Sequence, residues 1–358
     1  MSNIPTLPGI ESLTVTTSRI RFHLLASGPE QGFPILFVHG NFSSSTYWEE
    51  FMLKMPSIYR CLAPDLRGYG DTEDLLIDAT QGARGWADDL DALLSEMGLT
   101  AAHMVGWSLG CSAIMQFALQ YPHWVKSLTF INPVSPFGFG GTKDVDGTHC
   151  YSDFAGSGGG TVNPEFVRRI QEGDRSGDDP NSPRNVIKNY YYKPPFKAER
   201  EEEFLEAALL EKTGPERYPG DFTSSPNWPN VAPGKWGPIN ATSPMYFNTS
   251  AIADLNPKPP VLWMRGDSDQ IVSDNSLFDF GTLGKLGFVP GWPGDEIYPP
   301  QPMVSQMRSV MERYKANGGS YQEVLIENTG HSLHIERPDH VAEILIDFLA
   351  KAGPVPSS

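Results

Sequence analysis

Cysteine is scarce, basic residues are outnumbered, and no long apolar run occurs in the 358 residues. The three cysteines, Cys61, Cys111 and Cys150, are an odd number at unrelated spacings, which argues against a disulfide framework or a zinc site. Lys and Arg total 27 against 43 Asp and Glu, a formal charge of −16. So acidic a surface repels phosphate backbones and anionic headgroups, so neither nucleic acid nor a membrane is expected as a partner. No stretch approaches the roughly 18 apolar residues that a membrane span needs. The opening Met1-Ser2-Asn3-Ile4-Pro5 shows no basic segment followed by an apolar one, and a cytoplasmic location is expected. The N-x-S/T sequons at Asn41, Asn240 and Asn248 then read as chance matches.

What is present is an alternation of strand and helix patterns. Ile20 to Ala26, Ile35 to His39, Arg60 to Pro64, Ala101 to Trp107 and Val125 to Ile131 read as strands. Between them, Trp86, Leu90, Leu93, Leu94 and Met97 recur at the spacing of one helix face, and Gly98 stops the run. Ser112 to Tyr121 is a second helix, ending before Pro122. The alternation resumes with the strand Val261 to Met264, a Gly/Pro-rich loop from Gly281 to Pro302 and a helix from Met303 to Asn317. A strand from Tyr321 to Ile326 and a helix from Val341 to Ala352 complete it. The expected fold is α/β, a doubly wound and mostly parallel sheet. Between Pro133 and Pro257 the pattern lapses into Gly, Pro, Asp and aromatics, with helical signals only at Pro164 to Glu172 and Lys197 to Lys212. A structureless loop of that length is improbable. The segment 133–257 is therefore read as a cap inserted into a core formed by 1–132 and 258–358.

Gly106-Trp107-Ser108-Leu109-Gly110 matches G-x-S-x-G between a strand and a helix, where a strained turn lifts a serine hydroxyl off the sheet edge. A serine needs an adjacent base, and Gly330-His331 follows the last strand, at the sheet end where catalytic loops gather. His334 lies further along and is the weaker candidate; His39 and His103 read as structural. The imidazole needs a carboxylate. Asp267 and Asp269 follow the strand Val261 to Met264, and Asp269, deeper in the loop, reaches better. The loop after the preceding strand offers only Asn132, which carries no charge. Oxyanion donors are expected at the Leu109 N–H and in His39-Gly40-Asn41-Phe42, at the Asn41 N–H with Phe42 as the alternative.

Ser108, Asp269 and His331, in that chain order and each after a strand, resemble the α/β-hydrolase superfamily over residues ~12–135 and ~258–352. Val38-His39-Gly40, the D-x-R-G-x-G loop Asp65 to Gly70 and Glu336-Arg337-Pro338 share the likeness. It is greatest to the capped group of epoxide hydrolases, haloalkane dehalogenases, C–C bond hydrolases, lactonases and small esterases. The first two of those groups place an aspartate where this chain has Ser108. The resemblance therefore implies a serine hydrolase acting on a carboxylic ester or lactone through an acyl-enzyme, with no metal or organic cofactor. The alternatives are C–C cleavage of a diketone-like substrate and a non-catalytic small-molecule-binding role. Tyr190, Tyr191, Tyr192, Phe196, Trp228, Trp236, Tyr246 and Phe247 make the insertion aromatic. Rings on a lid can line an apolar pocket, so an apolar substrate is expected, bound by Phe42, Trp107, Trp228 and Trp236.

Overall fold

A computed structural model describes residues 2–353. Its sheet has eight strands: β1 Glu11–Thr16, β2 Arg21–Ser27, β3 Phe33–Val38, β4 Tyr59–Pro64, β5 Ala102–Trp107, β6 Val125–Ile131, β7 Val261–Gly266 and β8 Tyr321–Ile326. They lie in the order β1-β2-β4-β3-β5-β6-β7-β8. The pairs β1–β2 and β2–β4 are antiparallel and the rest parallel. Strand β1, which no sequence pattern singled out, is a mostly exposed edge.

Successive residues of the central strands serve opposite faces, as the two-residue period of a strand requires. Leu36, Val38, Met104 and Trp263 join one apolar cluster, with helices α1 Arg84–Glu96, α2 Leu109–Gln120 and α3 Met303–Ala316. Ile35, Phe37, Val105, Trp107, Leu262 and Met264 join the other, with Trp48, Phe51 and the C-terminal helix α4 Pro338–Ala352. Burial on both faces explains why these strands read as nearly continuous apolar runs.

The chain leaves the sheet after β6 and returns at β7. In between it forms short pieces, the longest being helices Pro164–Gln171 and Glu201–Ala208, joined by irregular backbone and two-stranded ribbons. Phe166, Ile170, Tyr191, Tyr192, Phe204 and Leu205 pack with Phe42, Tyr47 and Trp107, over the sheet face that carries the second cluster. The end of the segment behaves otherwise: Ala241, Phe247, Ile252, Ala253 and Leu255 join the first cluster beneath the core helices. Within the expected loop 281–302, a short helix, Phe280–Lys285, forms because the Asp279 side chain accepts from the Thr282 N–H at its start. No helix of the described residues is long and apolar enough to cross a membrane.

Candidate active site

Strand β5 ends at Trp107 and α2 begins at Leu109, so Ser108 alone makes the turn, at φ 54° and ψ −120°. A non-glycine residue there is strained by about 1–3 kcal/mol, and persists because its surroundings fix it. Two glycines allow the surroundings to come close enough. A Cβ on Gly110 would stand 2.2 Å from the Val38 carbonyl oxygen, and one on Gly106 would stand 2.8 Å from the Cys111 nitrogen. The turn binds back to the sheet through the Ser108 N–H, which donates to the Ile131 carbonyl at 2.9 Å.

The loop after β7 brings in Asp269. Its Oδ1 accepts from the Ile271 and Val272 N–H groups at 2.8 and 3.0 Å, and its Oδ2 lies 2.8 Å from His331 Nδ1. Both side chains are only 2% exposed. With Oδ1 occupied by two donors, Oδ2 is the acceptor for a proton on Nδ1, which leaves Nε2 free to accept a proton. Ser108 and His331 border one cavity without hydrogen bonding to each other, the loose arrangement common before substrate binds. Asp267, by contrast, is exposed and accepts from the Ser268 hydroxyl at 2.7 Å, in keeping with a turn-capping role.

The histidine loop is held by neighbours to which the sequence assigned no such role. Asn132, at φ 42°, donates from Nδ2 to the carbonyls of His331 and Gly330 at 2.7 and 3.1 Å, and its Oδ1 accepts from the Gly266 N–H. Uncharged Asn132 thus ties the end of β7 to the loop that carries His331. Trp107 Nε1 also donates to the His331 carbonyl, at 2.8 Å. Glu336 accepts from the Gly330 N–H and from the Lys193 N–H of the insertion, both at 2.8 Å. Its burial raises the carboxyl pKa to about 7, against the pull of those two donors.

The other candidate histidines, His39, His103 and His334, form no hydrogen bond with this pair. His39 donates from Nδ1 to the Gly40 carbonyl and accepts the Leu66 N–H at Nε2, which fixes the turn after β3. Burial lowers its pKa. His103 is buried beside Ser127, and burial with the Lys126 charge brings it down to about 4. His334 stacks on Trp48 with ring centroids 4.2 Å apart, and both its nitrogens lack partners. Burial, then the proximity of His331, lowers it to about 3. The D-x-R-G-x-G loop is structural as well. Burial raises Asp65, but His23 and the Ser45 N–H outweigh it and hold the carboxyl at about 2. Arg67 grips the buried Asp89 through two bonds of 2.7 and 2.8 Å.

Above Ser108 and His331 lies a cavity of about 380 Å³, within the range of small-molecule sites. Asn41, Phe42 and Leu109 line it beside the serine. Among the described residues, the Asn41 and Phe42 N–H groups donate to no protein atom. The Leu109 N–H belongs to the first turn of α2, where backbone donors have no partner within the helix. The walls are apolar, with Val134, Phe139, Phe166, Val186, Ile271 and Phe278 among them, and no Asp, Glu, Lys or Arg. Of the insertion's aromatics singled out above, only Tyr190 and Tyr191 reach the cavity. Trp228 and Trp236 do not, contrary to expectation. Trp228 packs on Tyr298 and Phe280 and donates to the Pro290 carbonyl, so the loop after β7 holds it away. Trp236 bridges to Asp78 at the periphery. Trp107 also lies off the cavity, beneath Tyr47 and His331.

The Alpha/beta hydrolase family model matches residues 35–344, and the chain belongs to that family. Curated relatives match more locally. The Bacillus subtilis protein "Uncharacterized carboxylesterase nap" is 33% identical over 128 residues, 36% of this chain and 42% of its own length. Epoxide hydrolase 3 of Siraitia grosvenorii is 35% identical over 137 residues, again 36% and 42%. The matches thus span less than half the length of these relatives. Among solved structures, esterase RhEst1 from a Rhodococcus species superposes with a TM-score of 0.58 at 17% identity, over 96% of this chain and 100% of its own. Carboxylesterase CesB (YbfK) from Bacillus subtilis gives 0.56 at 18%, over 96% and 92%. At such identities the likeness is one of fold.

Proposed function

We propose that the protein is a serine hydrolase that cleaves a carboxylic ester or lactone of an uncharged, apolar substrate through an acyl-enzyme. The observation that carries this reading is Ser108 on its strained turn, sharing a cavity with a histidine whose Nδ1 is engaged by Asp269. In this reading Ser108 Oγ attacks the acyl carbon while His331 Nε2 takes its proton, and Asp269 stabilises the imidazolium. The carbonyl oxygen becomes an oxyanion facing the Leu109 N–H and the unengaged N–H groups of Asn41 and Phe42. Its collapse breaks the bond to the leaving alcohol, which receives the proton from Nε2. Water then enters, Nε2 takes one of its protons, and the acyl group departs as the acid while Ser108 regains its hydrogen. The insertion acts as a cap that excludes bulk water from this chemistry.

The uncharged wall supports a substrate without an ionic group, since a buried unpaired charge would be costly there. Relatives named carboxylesterase and epoxide hydrolase both match; serine at position 108 supports the ester reading. The test is a panel of p-nitrophenyl esters, aryl lactones and a diketone substrate for C–C cleavage, assayed with wild type and Ser108→Ala. Ester or lactone turnover that vanishes in Ser108→Ala is expected. Turnover that survives the substitution overturns the proposal.

A further inference from the structure

The turn that carries the candidate oxyanion donors holds a second strained residue, Phe42 at φ 48°. Such a conformation keeps its shape only if its neighbours hold it. Two tyrosine hydroxyls hold its neighbour Asn41, one from the core and one from the insertion. Tyr69, in the D-x-R-G-x-G loop of the core, donates to Asn41 Oδ1 at 2.9 Å. Tyr191, in the insertion, donates to the Asn41 carbonyl at 2.7 Å. That carbonyl belongs to the peptide whose N–H is Phe42's, so the Tyr191 bond fixes the plane in which that N–H points.

Tyr191 is also tied to the base. Its own carbonyl accepts the Ser332 N–H at 2.9 Å, one residue after His331. Its ring packs edge-on to both Trp107 and His331, with centroids 5.6 and 6.0 Å away. Two residues on, the Lys193 N–H donates to Glu336, which also holds the Gly330 N–H. A Cβ on Gly330 would meet the Lys193 nitrogen at 2.7 Å, so glycine is what lets the two backbones run this close. The stretch 191–193 is therefore stitched at once to the oxyanion turn and the histidine loop.

We propose that Tyr191 is a positioning residue that completes the oxyanion hole from the cap, by fixing the Asn41–Phe42 peptide relative to Ser108. This inference rests on the serine-hydrolase reading above. It makes the cap part of the catalytic geometry as well as of the pocket wall: the hole has its shape only while the cap is seated. The hydroxyl is committed to a backbone carbonyl, so its role is to orient a donor and not to protonate substrate.

Tyr191→Phe removes the bond and keeps the ring. Losing an oxyanion donor outright costs 10²–10³ in kcat; misorienting one should cost roughly tenfold, the worth of one hydrogen bond. The expected result is a kcat about tenfold lower with KM nearly unchanged. The affinity for an aryl boronic acid, which forms a tetrahedral anion on the serine, should weaken by the same factor. Affinity for the neutral product alcohol and the Tm should stay close to wild type. Tyr69→Phe should move kcat and boronate affinity in the same direction. Tyr192→Phe, whose buried hydroxyl has no partner, should move neither. If wild type binds the boronate and turns over esters, and Tyr191→Phe does both equally well, the positioning role is wrong while the serine-hydrolase reading stands. If wild type does neither, that reading fails and takes this inference with it.

Discussion

The sheet and the insertion obey different rules. In the sheet, regular strands deliver Ser108, Asp269 and His331 to one edge, each from the loop or turn after a parallel strand. Their relative positions follow from ladder register and from two buried clusters packed on opposite faces. The insertion has no sheet of comparable size. Its short helices are fastened by side chains, for example Arg184 to Glu201 and Glu202 at 2.6 Å each, and by the hydrogen bonds that run from Tyr191 and Lys193 to the core. The comparison teaches a division of labour: the sheet sets the groups proposed to react, and the insertion sets what surrounds them.

That division predicts a ranking of effects. The largest belongs to the sheet. His331→Ala should lower kcat by roughly 10⁴–10⁶ without unfolding the protein, because the nucleophile has no other base; His334 is buried and is already bonded to no group that could move a proton. An ester assay retaining more than a hundredth of wild-type kcat would break the assignment. Next, Asp269→Asn should cost about 10⁴ in kcat through the wrong imidazole tautomer, while Asp267→Asn costs little. A reversal of the two would make the exposed aspartate the acid. Smaller effects belong to the insertion. Phe166→Ala, in the cavity wall, should change KM and the preference among acyl groups by about tenfold, the scale of a lost apolar contact of 1–3 kcal/mol. Trp228→Ala, held against Tyr298, should change stability more than KM. Equal KM effects would blur the boundary of the pocket.

The last effect bears on stability instead of turnover and concerns pH. His103 and His334 have pKa values of about 4 and about 3 in the folded protein, below the ordinary 6.5. The unfolded chain thus binds more protons between those values and 6.5, so these two sites stabilise the fold above pH 6.5 and lose that contribution as the pH falls. His334→Phe keeps a ring for stacking on Trp48 and removes the titration. Its Tm should fall less steeply than that of wild type between pH 6.5 and 4. A slope unchanged by the substitution would mean that His334 is not a source of the acid sensitivity.

Much of the sheet could be read from the chain because its signals are local. Apolar runs of strand length, a helix face in Trp86 to Met97 and the glycines around Ser108 all report their own surroundings. So does the placement of Asp269 and His331 after strands, since a parallel sheet sends such loops to one end. Strand β1 leaves a weak signal because four of its six residues are exposed and none is buried. Asn132 carries no charge to mark it in the sequence, and its work is to bind carbonyls from another loop. Trp228 and Trp236 were misplaced for the opposite reason. Aromatic content says that rings will be buried, but not against which distant segment, and here Trp228 found the loop after β7. The contact of Tyr191 with Asn41 spans 150 residues and leaves no local pattern at all.

The central claim is that Ser108 carries the acyl group. It is tested most directly by mixing wild-type protein with a p-nitrophenyl ester, quenching in acid during turnover and mapping peptides by mass spectrometry. The account predicts a burst of p-nitrophenol close to one equivalent, if deacylation is the slower step, and the acyl mass on the peptide containing Ser108. Rapid turnover with the acyl mass on another residue would contradict it, as would a Ser108→Ala protein that still forms the adduct.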